Sequence, residues 1–321
     1  MIKLPLRGLG WIGQRGAAAV AVSVLIGMLL PAWSAYARPF ISEAVFVLLV
    51  LAFLRVDTQA VGRRFRRPAL LCAAALWMLV AVPVLAVVLC RFLGLDALGP
   101  EVMLAVFIAT AAPSVMSAPA FIYLMGLDGA LSLTVLVIGV VLTPVTAPLI
   151  GTLMLGDTLP LDGLRLGLQL MLLLGGSYAL AAVIRALAGK DRVNHYRYQI
   201  DGLNVLVLFF FAVAAMDGVA ASFFDRPVFT AALAALTFAV ALTQIGLTLL
   251  AFRPASRADA FVIAHSTGAR NMGLMVAALG GTLPEFTWLW FALGQLPIYM
   301  LPFLLRPMAR RFSGLSPSAS T

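Results

Sequence analysis

The sequence predicts an all-α polytopic membrane protein with ten transmembrane helices arranged as two five-helix inverted repeats. Hydrophobic residues make up 63% of the 321 residues and charged residues only 11%, whereas a soluble domain carries about 25% charged residues. The apolar residues also fall into runs of about 20, which is the length that crosses a bilayer as a helix. These runs lack the alternation of a membrane β-barrel, so helices are the expected spanning elements.

Ten apolar runs follow one another along the chain, and we number them segments 1 to 10. They are residues 17–36, 40–54, 69–93, 101–125, 129–155, 161–188, 200–221, 228–252, 258–279 and 284–305. The predicted organisation is a cytoplasmic N-terminal segment, two repeats and a Ser-rich disordered tail. Their bounds are 1–16, 17–156, 157–312 and 313–321.

Segment 1 also has features of a secretory signal, because basic residues precede it and small residues near Ala35 and Ala37 follow its most apolar part. We expect it to be retained as a helix rather than cleaved. The run is long enough to span if it continues to Tyr36, and a retained helix is what the charge distribution requires.

The basic residues are distributed unequally across the predicted spans. With ten spans both termini lie on one side, which receives 17 of the 22 Lys and Arg residues, while the other side receives 4 and Arg270 lies within a span. The positive-inside rule places the richer side in the cytoplasm. We therefore expect an integral protein of the plasma membrane, the inner membrane of a bacterium, with both termini cytoplasmic. The net charge of +9 then requires no nucleic-acid partner.

Segment 9 carries polar residues in its middle, between residues 264 and 274. Among them is Arg270, and an Arg at bilayer depth costs at least about 2.5–3.5 kcal/mol on insertion scales. Gly268 and Gly273 allow the helix to open there, and unwound backbone at that depth must line a cavity or be buried in protein. The pattern predicts a broken helix beside a binding site.

Segment 4 is interrupted in a similar way, because Ser114 and Ser117 lie between Pro113 and Pro119. Segments 4 and 9 are the fourth spans of the two halves, and in the ten-span topology they run in opposite directions. Two broken helices in this arrangement are typical of transporters built from inverted repeats, with the substrate site at the midplane.

Three stretches resemble the bile acid:sodium symporter superfamily, which includes relatives of the arsenite permeases. They are Gly-Ala-Arg-Asn-Met-Gly-Leu at 268–274, Gly-Ala-Leu-Ser at 129–132 and Leu-Thr-Pro-Val-Thr-Ala-Pro at 142–148. The first is similar to the family's Gly-x-Gln-Asn-x-Gly-Leu motif, and the others are similar to its helix 5. The resemblance implies a core of helices 3–5 and 8–10, a panel of helices 1, 2, 6 and 7, and broken helices 4 and 9 that cross near the substrate and ion sites.

The chain also departs from the sodium-coupled members of this family. Ser266 stands where they carry an acidic ligand, and Arg270 stands where they carry Gln. The middle of helix 5, residues 136–141, has no side-chain oxygen, and segment 3 has no Gln or Asn. Because a guanidinium stays charged in proteins, Arg270 could take the charge role of a bound sodium. The expected function is alternating-access transport of a small organic anion without sodium coupling.

The candidate site residues come from the broken segments, their neighbours and segment 5. Candidates for substrate binding are Ser114, Met116, Ser117, Thr143, Ser266, Thr267, Arg270 and Asn271, and candidates for proton coupling are His265 and Asp217. Gln244 and Gln295 are candidates for lining the cavity. Structural roles stay open: Arg270 could bind opened backbone carbonyls, the serines could bond their own helices, and Asn271 could serve helix packing.

Other functions are weighed against transport. A channel or a non-transporting sensor with the same fold can also place an Arg in a pore. An enzyme is not expected, because His265 and Ser266 are neighbours that point in different directions on a helix. Cys72 and Cys90 are too far apart along one segment for a disulfide. We expect no cofactor and no metal; the sequence leaves the oligomeric state open.

A reporter fused after Arg310 tests the ten-span topology. The 17-to-4 distribution of Lys and Arg predicts that the fusion behaves as cytoplasmic. A signal from the opposite side of the membrane would contradict the topology.

Overall fold

A computed structural model describes residues 26–27, 29, 31–55, 67–156, 162–281 and 283–313. Within these ranges the regular elements are helices, without a named strand. Seven of the helices are long and apolar enough to cross a membrane. The chain is therefore an all-α polytopic integral membrane protein. The N-terminal segment, most of segment 1, most of the basic linker before segment 3 and the tail after Ser313 lie outside the described residues.

The helices follow the predicted segments except at the first two, because one continuous span of 25 residues, Pro31–Arg55, contains the end of segment 1 as well as segment 2. In chain order they are α1 Pro31–Ala37, α2 Ile41–Arg55, α3 Pro68–Leu76, α4 Val82–Phe92, α5 Pro100–Ala111, α6 Ala118–Leu124, α7 Gly129–Leu155, α8 Gly163–Ala188, α9 Lys190–His195, α10 Arg197–Ala215, α11 Val219–Asp225, α12 Pro227–Ala251, α13 Arg257–Gly268, α14 Met272–Ala278, α15 Glu285–Leu293, α16 Gln295–Leu304 and α17 Arg306–Ser313. A 3-10 turn, Arg38–Phe40, joins α1 to α2, and a π-helix, Trp77–Ala81, joins α3 to α4.

The spanning helices account for segments 2, 3, 5, 6, 7, 8 and 10. Segments 4 and 9 are each divided, segment 4 into α5 and α6 and segment 9 into α13 and α14. Two further divisions differ from the uninterrupted runs that the sequence predicts. Segment 7 turns at Gly218, whose φ is 78°, and segment 10 changes helix at Gly294.

The broken segments lie inside the helix bundle. Helix α13 packs closely on α12 and also contacts α7, while α5 packs between α4 and α15. Helix α2 contacts α8, α10 and α14. Every residue of α13 from Ala260 to Gly268 and every residue of α14 is buried. In contrast, large apolar side chains such as Phe92 and Leu187 are exposed, as expected where helices face lipid.

Ion pairs connect the ends of helices that are distant in sequence. They are Arg38–Asp217 (3.0 Å), Arg55–Asp201 (2.9 Å), Arg67–Asp259 (3.0 Å) and Arg226–Glu285 (3.0 Å). Each pair has at least one partly exposed member, so its contribution to stability is small. Their value here is geometric, because they show which helix ends lie side by side.

Helix α13 approaches α12 most closely at Gly268. A Cβ atom at this position would lie 2.5 Å from Cγ1 of Ile245 and 3.0 Å from the carbonyl oxygen of Ala241. Backbone cannot move aside as a flexible side chain can, so the last turn of α13 requires a glycine. A Cβ atom added at Gly246 on α12 would meet no heavy atom of a neighbouring element within 4 Å, so this glycine provides a matched control.

The substitution Gly268→Ala should lower the free energy of unfolding by about 1–3 kcal/mol, the usual cost of overpacking. Gly246→Ala should leave it unchanged or raise it by up to about 1 kcal/mol, because alanine favours a helix. Thermal unfolding in detergent measures both. Equal melting temperatures for the two variants would contradict the close approach.

Candidate functional site

The two interruptions lie side by side and pair through their backbones. Ser114 and Arg270 form an isolated antiparallel β-bridge. The N–H of Val115 donates to the carbonyl of Ala269 at 2.8 Å, and the N–H of Asn271 donates to the carbonyl of Pro113 at 2.8 Å. Each opened segment thus satisfies backbone groups of the other, as buried polar backbone requires.

The side chain of Arg270 is buried at this crossing, with the residue only 2% exposed. Its Nε donates to Oε1 of Gln244 at 3.1 Å, Nη1 donates to the carbonyl of Ala112 at 2.9 Å, and Nη2 donates to the carbonyl of Met78 at 3.1 Å. We call these three acceptors the oxygen cage. The guanidinium therefore connects segments 3, 4, 8 and 9.

The carbonyl of Met78 is free to accept because of the π-helix around it. In an α-helix its partner would be the N–H of Val82, but that N–H bonds to Trp77 instead. In the π register its partner would be residue 83, and Pro83 has no N–H to donate. Proline and the change of register together leave this oxygen for the guanidinium.

The carbonyl of Ala112 is free because α5 ends one residue earlier. Ala112 is extended, with a ψ of 149°, as expected for a residue before proline. The last carbonyls of a helix lack intrahelical partners and carry partial negative charge. Gln244 Nε2 donates to one of them, Ala109, at 3.5 Å. Arg270 and Gln244 together cap the C-terminal end of α5.

All three acceptors of the oxygen cage are neutral. Within the described residues, the hydrogen bonds of Arg270 include no carboxylate partner. Opened carbonyls and the C-terminal ends of half-helices are also the groups that coordinate cations in broken-helix transporters. The guanidinium is therefore held as a coordinated cation would be, and no ion pair with another described residue neutralises its positive charge.

Little space remains beside Arg270. A cavity of about 20 Å³ adjoins it, and the polar residues in its wall are Thr237, Gln244, Arg270 and Trp290, with apolar side chains and glycines elsewhere. A larger groove of about 370 Å³ lies away from the crossing, between α2 and α10, and has Glu43 as its one acidic residue among apolar side chains. The crossing is therefore tightly packed.

Several other candidate residues bond locally. Thr143 donates to Gly139 O at 2.6 Å and Thr267 to Ile263 O at 2.8 Å, each within its own helix. The side chain of Asn271 accepts from Leu274 N at 3.2 Å and caps α14. The two threonine hydroxyls thus bond within their own helices and Asn271 has a capping role, and their part in substrate binding stays a prediction.

The serines of the two interruptions have different surroundings. Ser266 Oγ lies 3.0 Å from Ser132 Oγ, which links α13 to α7. Ser114 is fully buried, and its Oγ has no hydrogen-bond partner among the described residues. Met116 and Ser117 lie at the end of the segment 4 interruption, just before α6, and are partly exposed.

The remaining candidates lie apart from the cage. His265 is buried, its Nδ1 has no partner within the described ranges, and its ring centroid lies 6.5 Å from that of Phe261. Asp217 forms the ion pair with Arg38 at the end of α10. Gln295 donates to Phe291 O in its own part of the chain at 3.0 Å. Of the two glutamines, only Gln244 contacts Arg270.

Sequence reasoning did not identify the carbonyls of Met78 and Ala112 or the hydroxyl of Ser132 as parts of the site. The signals for the two carbonyls are prolines, because Pro83 and Pro113 remove or displace the donors that would otherwise occupy them. Ser132 has no comparable local signal, since its contact depends on how α7 packs against α13.

Paired interruptions in a bundle of apolar spans are typical of helical membrane transport proteins. A family model, the Sodium Bile acid symporter family, matches residues 42–226, which is more than half of the chain. The protein belongs to this family, as the motifs of segments 5 and 9 predict. The matched range ends before α13, so Arg270 lies outside it. No curated protein matches the chain.

The substitution Gln244→Leu should lower the free energy of unfolding by about 1–3 kcal/mol, because it leaves a buried guanidinium N–H without an acceptor. Gln295→Leu is the matched control: Gln295 is also buried, but its amide donates to Phe291 O, which lies one helical turn away in the same segment. The control should cost less. Thermal unfolding in detergent compares the two, and an equal loss would contradict the importance of the cage.

Proposed function

We propose that the protein is a secondary transporter for a small organic anion that works by alternating access without sodium. The observation that carries this proposal is the buried Arg270 guanidinium, which bonds three neutral oxygens and no carboxylate among the described residues. The family supports transport, and the charge at the crossing supports the sign of the substrate.

The preference for an anion follows from the local electrostatics. The three hydrogen bonds of the cage occupy three of the five guanidinium N–H groups. Two donors and an unpaired positive charge remain in a region of low effective dielectric, where charge interactions are stronger than in water. A carboxylate or sulfonate that reaches this position when the bundle opens would gain a charge-assisted hydrogen bond.

We expect transport to be independent of sodium because the Arg270 guanidinium already binds the oxygen cage. The oxygens of Met78, Ala112 and Gln244 are the kind of ligand that sodium requires, and a tethered cation already binds them. Ser266 supplies no carboxylate and bonds Ser132 instead. Protons would be the alternative energy source. Of the two candidates for proton coupling, His265 is favoured, because Asp217 is already paired with Arg38.

Several contacts support the proposed ten-span topology. The pairs Arg55–Asp201 and Arg67–Asp259 join ends that this topology places in the cytoplasm. The pairs Arg38–Asp217 and Arg226–Glu285 join ends that it places outside. The antiparallel bridge between the interruptions supports inverted repeats at 17–156 and 157–312.

Counterflow in proteoliposomes distinguishes a carrier from a channel or a non-transporting sensor. Vesicles that contain the purified protein are loaded with unlabelled carboxylates or sulfonates, and uptake of the labelled compound is followed. A carrier shows transient, saturable accumulation driven by exchange. Uptake that does not saturate would favour a channel, and the absence of uptake across the whole panel would favour a sensor.

Arg270→Gln should weaken binding of the transported anion by about 1.5–3 kcal/mol, the value of a hydrogen bond to a charged group. Arg185→Gln is the matched control, since Arg185 also donates to backbone carbonyls, those of Phe53 and Leu54, but away from the crossing. Ligand titration of folded protein measures both. Equal affinity of wild type and Arg270→Gln would contradict the assignment.

Uptake in choline medium should equal uptake in sodium medium at fixed pH. A sodium ion about 4 Å from the guanidinium would meet a repulsion of roughly 4 kcal/mol at an effective dielectric of 20. Loss of uptake without sodium would contradict the proposal. Uptake that is independent of sodium but abolished by a protonophore would indicate proton coupling. Uptake that is unaffected by sodium and by the protonophore would indicate exchange or facilitated diffusion.

A further inference from the structure

Helix α17 follows directly on the last spanning helix, which ends at Leu304. The N–H of Leu305 donates to Leu301 O at 2.8 Å, and the N–H of Ala309 donates to Leu305 O at 3.0 Å. These bonds join residues four apart, as in an α-helix, so the helical turn continues from α16 into α17. Residues three, four or seven positions apart therefore share a face across this junction.

The exposed face of the helix changes from apolar to basic at the junction. Phe303 and Leu304, in the last turn of the span, are 55% and 61% exposed, as expected for side chains that face lipid. On the same face, Arg306 and Arg310 follow Phe303 and Arg311 follows Leu304, and all three arginines are exposed. They lie about 4.5–10.5 Å further along the helix axis. The headgroup region beyond the hydrocarbon is roughly 5–8 Å deep, so the arginines lie at the level of the lipid phosphates.

The opposite face of α17 packs against the protein. Ala309 is fully buried, and Met308 and Phe312 pack against the same apolar cluster. The ring of Phe312 lies edge-on to that of Phe261 on α13, with their centroids 5.8 Å apart. This packing holds the arginines of α17 on the side that continues the lipid-facing surface of α16.

The charge at this end of the bundle is strongly positive. Helix α17 contains three arginines and no acidic residue. Arg253 and Arg257, at the turn from α12 to α13, are also exposed and adjoin residues of the cluster beneath α17. Asp259, in the first turn of α13, already pairs with Arg67 at 3.0 Å. The proposed topology places this end at the cytoplasmic leaflet, which carries the anionic lipids.

We infer that α17 binds the headgroup of an anionic phospholipid, with Arg306 and Arg311 as the principal contacts. Their guanidinium groups supply charge-assisted hydrogen bonds to phosphate, and Phe303 and Leu304 contact the acyl chains of the same lipid. The site goes beyond the proposed function, because it lies away from the crossing and needs no transported substrate. Since α17 packs on α13, a bound lipid also stabilises the first half of the broken segment 9.

The binding test uses purified full-length protein in a neutral detergent, to which phosphatidylglycerol or phosphatidylcholine is added. Native mass spectrometry measures how many lipids each chain retains. Phosphatidylglycerol should be retained more tightly, and glycerol phosphate, which has no acyl chains, should not displace it at equal concentration. Equal retention of the two lipids would overturn the inference. Displacement by glycerol phosphate would also overturn it, because the site would then bind soluble phosphates rather than lipid.

Two double variants assign the bound lipid to α17. Arg306→Gln/Arg311→Gln should weaken phosphatidylglycerol binding about 25-fold, since each arginine near an anionic surface contributes about fivefold. Arg91→Gln/Arg165→Gln is the matched control, because it removes the same charge from exposed positions at the opposite ends of the spans, and it should keep the wild-type affinity. Wild-type affinity in the α17 variant, or an equal loss in the control, would contradict the assignment.

A measurement on the wild-type protein covers the case in which a variant does not fold. Tm in mixed micelles should be higher with phosphatidylglycerol than with phosphatidylcholine, by about 2–4 °C at a lipid concentration roughly tenfold above the dissociation constant. The difference should shrink from about 0.1 M to about 1 M salt, because the Debye length falls from about 10 Å to about 3 Å. Equal Tm values would overturn the lipid site. Counterflow in vesicles of phosphatidylcholine alone would then still support the proposed function, so the two failures are distinguishable.

Discussion

The hydrogen bonds between the Arg270 guanidinium and three neutral oxygens are the interaction on which the centre of this structure depends. Met78 lies on a π-helix, Ala112 at the end of a half-helix and Gln244 on an unbroken span. Each of these oxygens would be a buried, partly unsatisfied acceptor without the guanidinium. The hydrogen bonds of the cage therefore offset both the cost of burying the charge and the cost of opening the helices.

This arrangement has a direct consequence for energy coupling. An exchangeable ion can drive transport because it binds and leaves, whereas the cation of Arg270 stays tethered to the backbone bridge between the two interruptions. In the proposed mechanism this tethered cation carries no gradient, and the driving force would come from the substrate gradient itself or from protons. The proton-coupling candidate in our proposal is His265, which is buried and whose Nδ1 has no hydrogen-bond partner among the described residues.

The sequence predicted the class of fold and both interruptions, because apolar runs and clusters of Pro, Gly and Ser are local signals. It identified Arg270 as the central residue and Gln244 as a candidate for lining the cavity, but it missed the other two partners, since these are backbone carbonyls that every residue possesses. Only the placement of Pro83 and Pro113 frees those oxygens, and that effect depends on the helical register. The breaks at Gly218 and Gly294 were also missed, because hydropathy continues unchanged across both glycines. Ser132 meets Ser266 only through the packing of two distant helices.

Equilibrium binding of radioactive sodium to the purified protein tests the central claim most directly, because it probes the cage without any transported substrate. If the guanidinium already occupies the cation position formed by Met78, Ala112 and Gln244, wild-type protein should show no saturable sodium binding. Saturable binding of about one sodium per chain by the wild type would contradict the account.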